Sequence, residues 1–94
     1  MAQQKRIGIV GCGTIGRKVA QELDRGSVPG VQLVALTSRD QENARTLAAS
    51  LQSPPKVVSL HELIPLVDLV VEAATGAALD EIARATLGAG KDLM

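Results

Sequence analysis

The sequence predicts an α/β fold with a mostly parallel sheet, and three observations support that prediction. Apolar runs of strand length alternate along the 94 residues with stretches whose apolar residues recur at helical spacing. Those runs are nearly continuous, which is typical of strands buried on both faces of a parallel sheet. The first run continues directly into the glycine motif G-C-G-T-I-G at residues 11–16. Together these features predict five strands alternating with four helices.

The first strand ends at the glycine motif, and the first helix begins inside it. The strand contains the apolar residues Ile7, Ile9 and Val10. The helix is predicted over residues 14–25, and Gly26 favours its end because glycine readily takes the left-handed conformation that closes helices. Its apolar stripe consists of Ile15, Val19, Ala20 and Leu23. We expect that stripe to pack against the sheet.

The second strand is predicted over residues 31–36 and the second helix over residues 40–52. The polar loop at the carboxyl end of the strand consists of Thr37, Ser38, Arg39 and Asp40. The apolar stripe of the helix consists of Ala44, Leu47, Ala48 and Leu51. Pro54 and Pro55 end this helix, because the residue before a proline is pushed away from helical angles.

The later elements are shorter. A third strand is expected at residues 56–59. Ser59 and Glu62 form a capping box that begins a short helix over Leu60–Leu63, and Pro65 ends that helix. A fourth strand is expected at residues 68–74, with a turn after it. The last helical stripe consists of Leu79, Ile82, Ala83 and Leu87, and it stops at Gly88. Residues 91–94 have the pattern of the start of a fifth strand.

The order of these elements predicts a Rossmann-type doubly wound sheet with strand order 3-2-1-4-5. Right-handed crossovers between parallel strands give that order and place helices on both faces. The ligand crevice should lie at the carboxyl ends of strands one, two and four. We interpret residues 1–94 as a dinucleotide-binding domain, truncated at the start of its fifth strand and separated from a carboxyl-terminal domain.

The glycine motif predicts the site of the dinucleotide. Gly11 allows a sharp turn out of the strand, Gly13 lets the backbone approach a pyrophosphate, and Gly16 lets the helix lie close to the sheet. The amides at the start of the helix favour a phosphate group. The alternative is a glycine-rich turn that binds no ligand. The predicted cofactor-binding residues are Gly11, Cys12, Gly13, Thr14, Ile15, Gly16, Thr37, Ser38, Arg39, Ala74, Thr75 and Gly76.

Composition argues against several other classes of protein. Ten basic and ten acidic residues give a formal net charge of zero, and aromatic residues are absent, so nothing indicates binding to nucleic acid. No apolar run approaches the roughly 18 residues of a membrane span. Cys12 and His61 are the single cysteine and histidine, which excludes an internal disulfide and makes a metal site unexpected. We expect a cytoplasmic protein whose chain holds neither metal ligands nor catalytic residues.

Three segments carry a resemblance to a known family: I-G-I-V-G-C-G-T-I-G-R, V-D-L-V-V-E-A-A-T and L-G-A-G-K-D-L-M. The sequence resembles the amino-terminal NAD(P)-binding domain of L-aspartate dehydrogenases and, less specifically, the NAD-binding domain of homoserine dehydrogenases. That resemblance covers nearly the whole chain. It implies that a further domain supplies the substrate pocket and a catalytic histidine, so that role is not assigned to His61. The chain alone should therefore bind coenzyme without catalysis.

The resemblance implies reversible oxidative deamination of L-aspartate by the complete enzyme, which we expect to be a homo-oligomer. Hydride leaves the amino-bearing carbon for the nicotinamide, and the resulting iminoaspartate hydrolyses to oxaloacetate and ammonia. A homoserine dehydrogenase-like enzyme and a non-catalytic nucleotide-binding regulatory module are the alternatives, because fold alone does not decide between enzyme and sensor.

The coenzyme itself is predicted from the end of the second strand. Related enzymes often have an acidic residue there, which would bind the ribose 2′-hydroxyl of NAD and repel the 2′-phosphate of NADP. This chain has Ser38 followed by Arg39, which favours NADP, whereas Asp40 could restore a preference for NAD. Asp40 is, however, better placed as the N-cap of the second helix. Three further residues have two interpretations each. Glu72 contacts either the cofactor or turn amides, Thr75 contacts the cofactor ribose or caps the next helix, and Arg17 is a surface charge or approaches the pyrophosphate.

Overall fold

A five-stranded parallel sheet forms the centre of the fold. The computed structural model describes residues 5–26, 28–73, 88–90 and 92–93. The strands are β1 (Lys5–Val10), β2 (Val31–Thr37), β3 (Lys56–Val57), β4 (Leu69–Glu72) and β5 (Asp92–Leu93). Their order is β3-β2-β1-β4-β5, and all neighbouring pairs are parallel, which confirms the predicted topology. The predicted helix between β4 and β5 lies outside the described residues.

Helices cover both faces of the sheet. They are α1 (Thr14–Asp24), α2 (Gln41–Ala49) and α3 (Leu60–Leu63), the last followed by a 3₁₀ turn over Ile64–Leu66. One face packs residues of α1 and α2 against the strands in a cluster of Ile9, Cys12, Ala20, Leu33, Leu36, Ala44, Leu47, Ala48 and Leu51. The other face packs the region of α3 in a cluster of Val10, Ala35, Leu63, Ile64, Val67 and Val70. Within the described ranges, no helix has the length and apolar character needed to cross a bilayer.

Several predicted boundaries differ from the structure for local reasons. Helix α2 ends at Ala49 rather than at residue 52, since the Ser50 hydroxyl donates to the Leu47 carbonyl oxygen at 2.7 Å. Strand β3 stops at Val57, because Ser59 caps α3 instead of continuing the strand. Pro65 does not end the helical segment. It lies near the start of the 3₁₀ turn, where a missing backbone N–H is tolerated.

Two residues lie in environments that the sequence pattern did not predict. Ile15 was expected in the buried stripe of α1, but its side chain is 70% exposed. Gly16 and Ala20 are the fully buried residues of that helix instead. Thr37 was expected in the polar loop, but it is the last residue of β2 and is only 5% exposed.

Contacts between Arg6 and Asp68 align β1 with β4, the two neighbouring parallel strands at which the strand order of the sheet changes direction. The backbone N–H of Arg6 donates to Asp68 Oδ2 at 2.9 Å, and Arg6 Nη2 lies 3.2 Å from Asp68 Oδ1. In return, the Asp68 N–H donates to the Arg6 carbonyl oxygen at 2.8 Å. These contacts fix the residue before β4 against β1. The carboxyl ends of β1 and β4 therefore lie side by side, which is where doubly wound sheets bind ligands.

Candidate functional site

The glycine turn brings β1 and α1 into direct contact. Gly11 has a φ of +102°, which favours glycine, and its N–H donates to the Thr37 carbonyl oxygen at 2.8 Å. A Cβ atom on Gly16 would collide with the Gly11 carbonyl oxygen and would lie 3.4 Å from Ala73 Cβ. The first turn of α1 thus packs on the backbone of the turn that precedes it, at the edge of the predicted crevice.

The N-terminus of α1 differs from those of α2 and α3. Its N-cap residue is Gly13, which provides no side-chain acceptor, and its first turn contains no acidic residue. By contrast, Asp40 caps α2, and Ser59 with Glu62 forms the predicted capping box on α3. A Cβ atom on Gly13 would meet no atom of the described residues within 4 Å. The first-turn amides of α1 therefore lack a capping side chain, and the turn beside them leaves room for a ligand, which is the arrangement that binds phosphate groups.

Cys12 lies beneath the glycine turn and is only 6% exposed. Its Sγ lies 3.8 Å from the Thr37 carbonyl oxygen, to which the thiol donates. Burial raises the pKa of the Cys12 thiol, and the positive charge of Arg17 offsets part of that rise. The group therefore remains a neutral thiol near pH 7, which argues for a packing role rather than a nucleophilic one.

We expect Cys12 to react with iodoacetamide at pH 7.5 at least about ten-fold more slowly in the folded protein than in the protein unfolded in urea, because only an accessible thiolate attacks. Mass spectrometry of timed samples measures both rates on one protein. Folding raises the pKa of the Cys12 thiol. The free energy of unfolding should therefore fall as the pH rises above the pKa that this thiol has in the unfolded chain. Equal alkylation rates in the two states would contradict the burial.

The loop after β2 lies beside the glycine turn, since Gly11 is hydrogen-bonded to Thr37. Ser38 is half-buried, whereas Arg39 is exposed. Asp40 accepts a hydrogen bond from the Glu42 N–H at 3.0 Å and so serves as the N-cap of α2, as the sequence predicted. Its carboxylate is therefore engaged in the helix cap.

Gln41 follows Asp40 at the start of α2 and was not predicted from the sequence as a site residue. Gln41 Nε2 lies 3.4 Å from Thr37 Oγ1 and 3.5 Å from the Val58 carbonyl oxygen. Its Oε1 atom is buried and has no hydrogen-bond partner within the part of the chain that the structure describes. No motif or period in the sequence distinguishes this residue from any other polar residue at a helix start.

Glu72 lies at the carboxyl end of β4, paired with Val10 of β1. Its Oε1 atom is buried, and no hydrogen-bond donor for it is found among the described residues. Ala74, Thr75 and Gly76 lie outside those residues, so the contacts predicted for them stay predictions. His61 is exposed on α3, and the described ranges hold no group of three or more side chains suited to a metal ion.

Comparisons with known proteins agree with this arrangement. The family described as "Homoserine dehydrogenase, NAD binding domain" matches residues 11–94. An L-aspartate dehydrogenase of Methanocella arvoryzae is 45% identical over 95% of this chain and 33% of its own length. L-aspartate dehydrogenase 3 of Bordetella bronchiseptica is 38% identical over 100% of this chain and 35% of its own length. The chain therefore spans about a third of the length of these relatives.

Solved structures show the same fold. Myo-inositol dehydrogenase from Lactobacillus casei, in complex with NAD(H) and myo-inositol, superposes with a TM-score of 0.85 at 23% identity. That match covers 97% of this chain and 27% of the other. UDP-N-acetylglucosamine 3-dehydrogenase from Acidithiobacillus ferrooxidans gives a TM-score of 0.82 at 25% identity over 97% of this chain and 28% of the other.

Proposed function

The chain belongs to the family of homoserine dehydrogenase NAD-binding domains, and from that premise we propose that it binds a nicotinamide dinucleotide with the pyrophosphate at residues 11–16. The observation that carries this proposal is the N-terminus of α1, which has no side-chain cap and faces the open space beside Gly13. Thr14 and Ile15 follow in the first turn, so their backbone N–H groups are the donors available to the phosphates.

We further propose that the complete enzyme is an L-aspartate dehydrogenase. Relatives with that name align with nearly all of this chain, at up to 45% identity. In that reaction, the nicotinamide supplies the hydride acceptor. The residues of this chain would hold the coenzyme and fix its position, whereas the groups that bind L-aspartate would come from the remaining two thirds of such an enzyme.

A chimaeric enzyme tests this role. The chain would replace the matching first third of the M. arvoryzae enzyme, and L-aspartate-dependent reduction of NAD and NADP would be followed at 340 nm. We expect coenzyme reduction by the chimaera, and none by a chimaera that also carries Gly13→Val. A folded chimaera that binds neither coenzyme would refute the proposal.

For the coenzyme, we propose a preference for NADP over NAD. Ser38 and Arg39 follow β2, where an acidic residue would otherwise bind the ribose 2′-hydroxyl. A hydroxyl can donate to a phosphate oxygen, and an exposed guanidinium can pair with the phosphate. The counter-interpretation needs Asp40 to turn toward the ribose, but its carboxylate is engaged in capping α2.

We expect the parent chain to bind NADP about ten-fold or more tightly than NAD, since a hydrogen bond to a charged group contributes on the order of 1.5 to 3 kcal/mol. Arg39→Ala and Ser38→Asp should each weaken NADP binding, and Ser38→Asp should also strengthen NAD binding. Calorimetry at one fixed salt concentration measures all the dissociation constants. Arg25→Ala is the matched control, because it also removes an exposed arginine but lies at the C-terminal end of α1, away from the glycine turn. Equal affinities in the parent, or unchanged NADP binding by Arg39→Ala, would contradict the preference.

A further inference from the structure

Gln41 extends over the rim of the predicted crevice on the β2–β3 side. Helical side chains tilt toward the helix N-terminus, so a residue in the first turn of α2 can reach back over the carboxyl ends of the strands. Its Nε2 atom approaches Thr37 Oγ1, at the end of β2, and the carbonyl oxygen of Val58, directly after β3. The Gln41 amide therefore bridges the ends of two neighbouring strands.

The Val58 carbonyl decides which way the Gln41 amide is turned. A carbonyl oxygen only accepts hydrogen bonds, so the NH₂ group must face it, and Oε1 must point away. Oε1 is buried, and none of the described residues donates a hydrogen bond to it. A buried acceptor without a donor is destabilising and needs an explanation. The two Nε2 contacts, 3.4 and 3.5 Å, are longer than the usual range of about 2.7–3.2 Å, so the amide can shift toward an incoming donor.

The dinucleotide offers a suitable donor at this place. In a doubly wound sheet, the first three strands bind the adenosine half of the coenzyme. If the pyrophosphate binds at the glycine turn and the ribose beside Ser38, as proposed above, the base would be the next group along the rim formed by β2 and β3. The exocyclic amine of adenine is a hydrogen-bond donor on the edge of that base, whereas the ring nitrogen N7 accepts.

We propose that Gln41 Oε1 accepts a hydrogen bond from the exocyclic amine of the adenine ring, so that Gln41 selects adenine over a base with a carbonyl at that position. This inference rests on the proposed binding of a nicotinamide dinucleotide. It assigns specificity for the base to one residue, separately from the recognition of the 2′ group by Ser38 and Arg39.

The test compares NADPH with its deamino analogue, in which hypoxanthine carries a carbonyl in place of the amine. Nicotinamide fluorescence gives both dissociation constants for the parent chain, Gln41→Met and the control Gln32→Met, which changes an exposed residue of β2. We expect the parent and Gln32→Met to bind NADPH about ten-fold more tightly than the analogue, and Gln41→Met to bind the two about equally. The ratio of the two constants does not depend on the folded fraction, because both ligands require the same folded state.

A Gln41→Met protein that keeps the parent ratio would overturn the inference. The same holds if the variant loses affinity for both dinucleotides equally, as loss of a ribose contact would cause, or if the parent does not discriminate between them. A parent chain that is folded by circular dichroism but binds neither dinucleotide would instead contradict the proposed function, so the two failures are distinguishable.

Discussion

Gly16→Ala is expected to destabilise the protein by at least about 3 to 5 kcal/mol, against a total stability of roughly 5 to 14 kcal/mol for a domain of this size. The added Cβ would collide with the carbonyl oxygen of Gly11, which is backbone and is held in place by the turn between β1 and α1. Alanine favours helix over glycine by only about 1 kcal/mol. The collision therefore dominates, and α1 would have to move away from the sheet.

Two other glycines give a graded comparison for Gly16→Ala. A Cβ on Gly8 would lie 2.7 Å from Leu63 Cδ2 and 2.9 Å from Val67 Cγ1, the ends of side chains that can shift, so Gly8→Ala should cost about 1 to 3 kcal/mol. The Cβ added by Gly13→Ala meets no atom of the described ranges within 4 Å, and as a change at an N-cap it should cost less than about 1 kcal/mol. Urea unfolding followed by circular dichroism measures all three. If Gly16→Ala proved as stable as Gly13→Ala, the close contact described between Gly16 of α1 and the Gly11 carbonyl oxygen would be contradicted.

The sequence was sufficient to predict the parts of the fold that depend on local chemistry and on the apolar pattern. Strand order followed from continuous apolar runs joined by right-handed crossovers. The caps by Asp40 and by Ser59 with Glu62 were predicted because the capping side chain and its amide are only two or three residues apart. Gly26 was predicted to end the first helix because glycine readily takes the left-handed conformation, and it has a positive φ just after α1.

Other features could not be predicted because they depend on residues that meet only in the folded chain. Arg6 and Asp68 are 62 residues apart, and the Asp24 carboxylate accepts from the N–H groups of Gln52 and Ser53 after α2. Helical spacing placed Ile15 among the buried residues, but its side chain is exposed in the fold, and Gly16 beside it packs on the glycine turn instead. For the same reason, the bridging position of Gln41 could not be predicted.

A side chain at Gly13 should be compatible with folding but not with binding of the dinucleotide. Among the described residues, none would obstruct a Cβ on Gly13. Its backbone has φ −78° and ψ −160°, an extended conformation that valine readily adopts. Gly13→Val should therefore remain folded, at a cost of about 1 kcal/mol for a poorer N-cap. The open space beside Gly13, however, is the space that the pyrophosphate needs.

We expect Gly13→Val to bind NADP at least about a hundred-fold more weakly than the parent chain, which corresponds to about 2.7 kcal/mol lost by excluding the phosphates from the first-turn amides of α1. Gly88→Val is the control, because a Cβ there also meets none of the described residues within 4 Å and the residue lies outside the glycine turn. Calorimetry measures binding, and a thermal melt of each variant shows that loss of affinity is not loss of fold. If Gly13→Val bound the dinucleotide as tightly as the parent, the pyrophosphate would not lie at this turn, and the site proposed at residues 11–16 would be wrong.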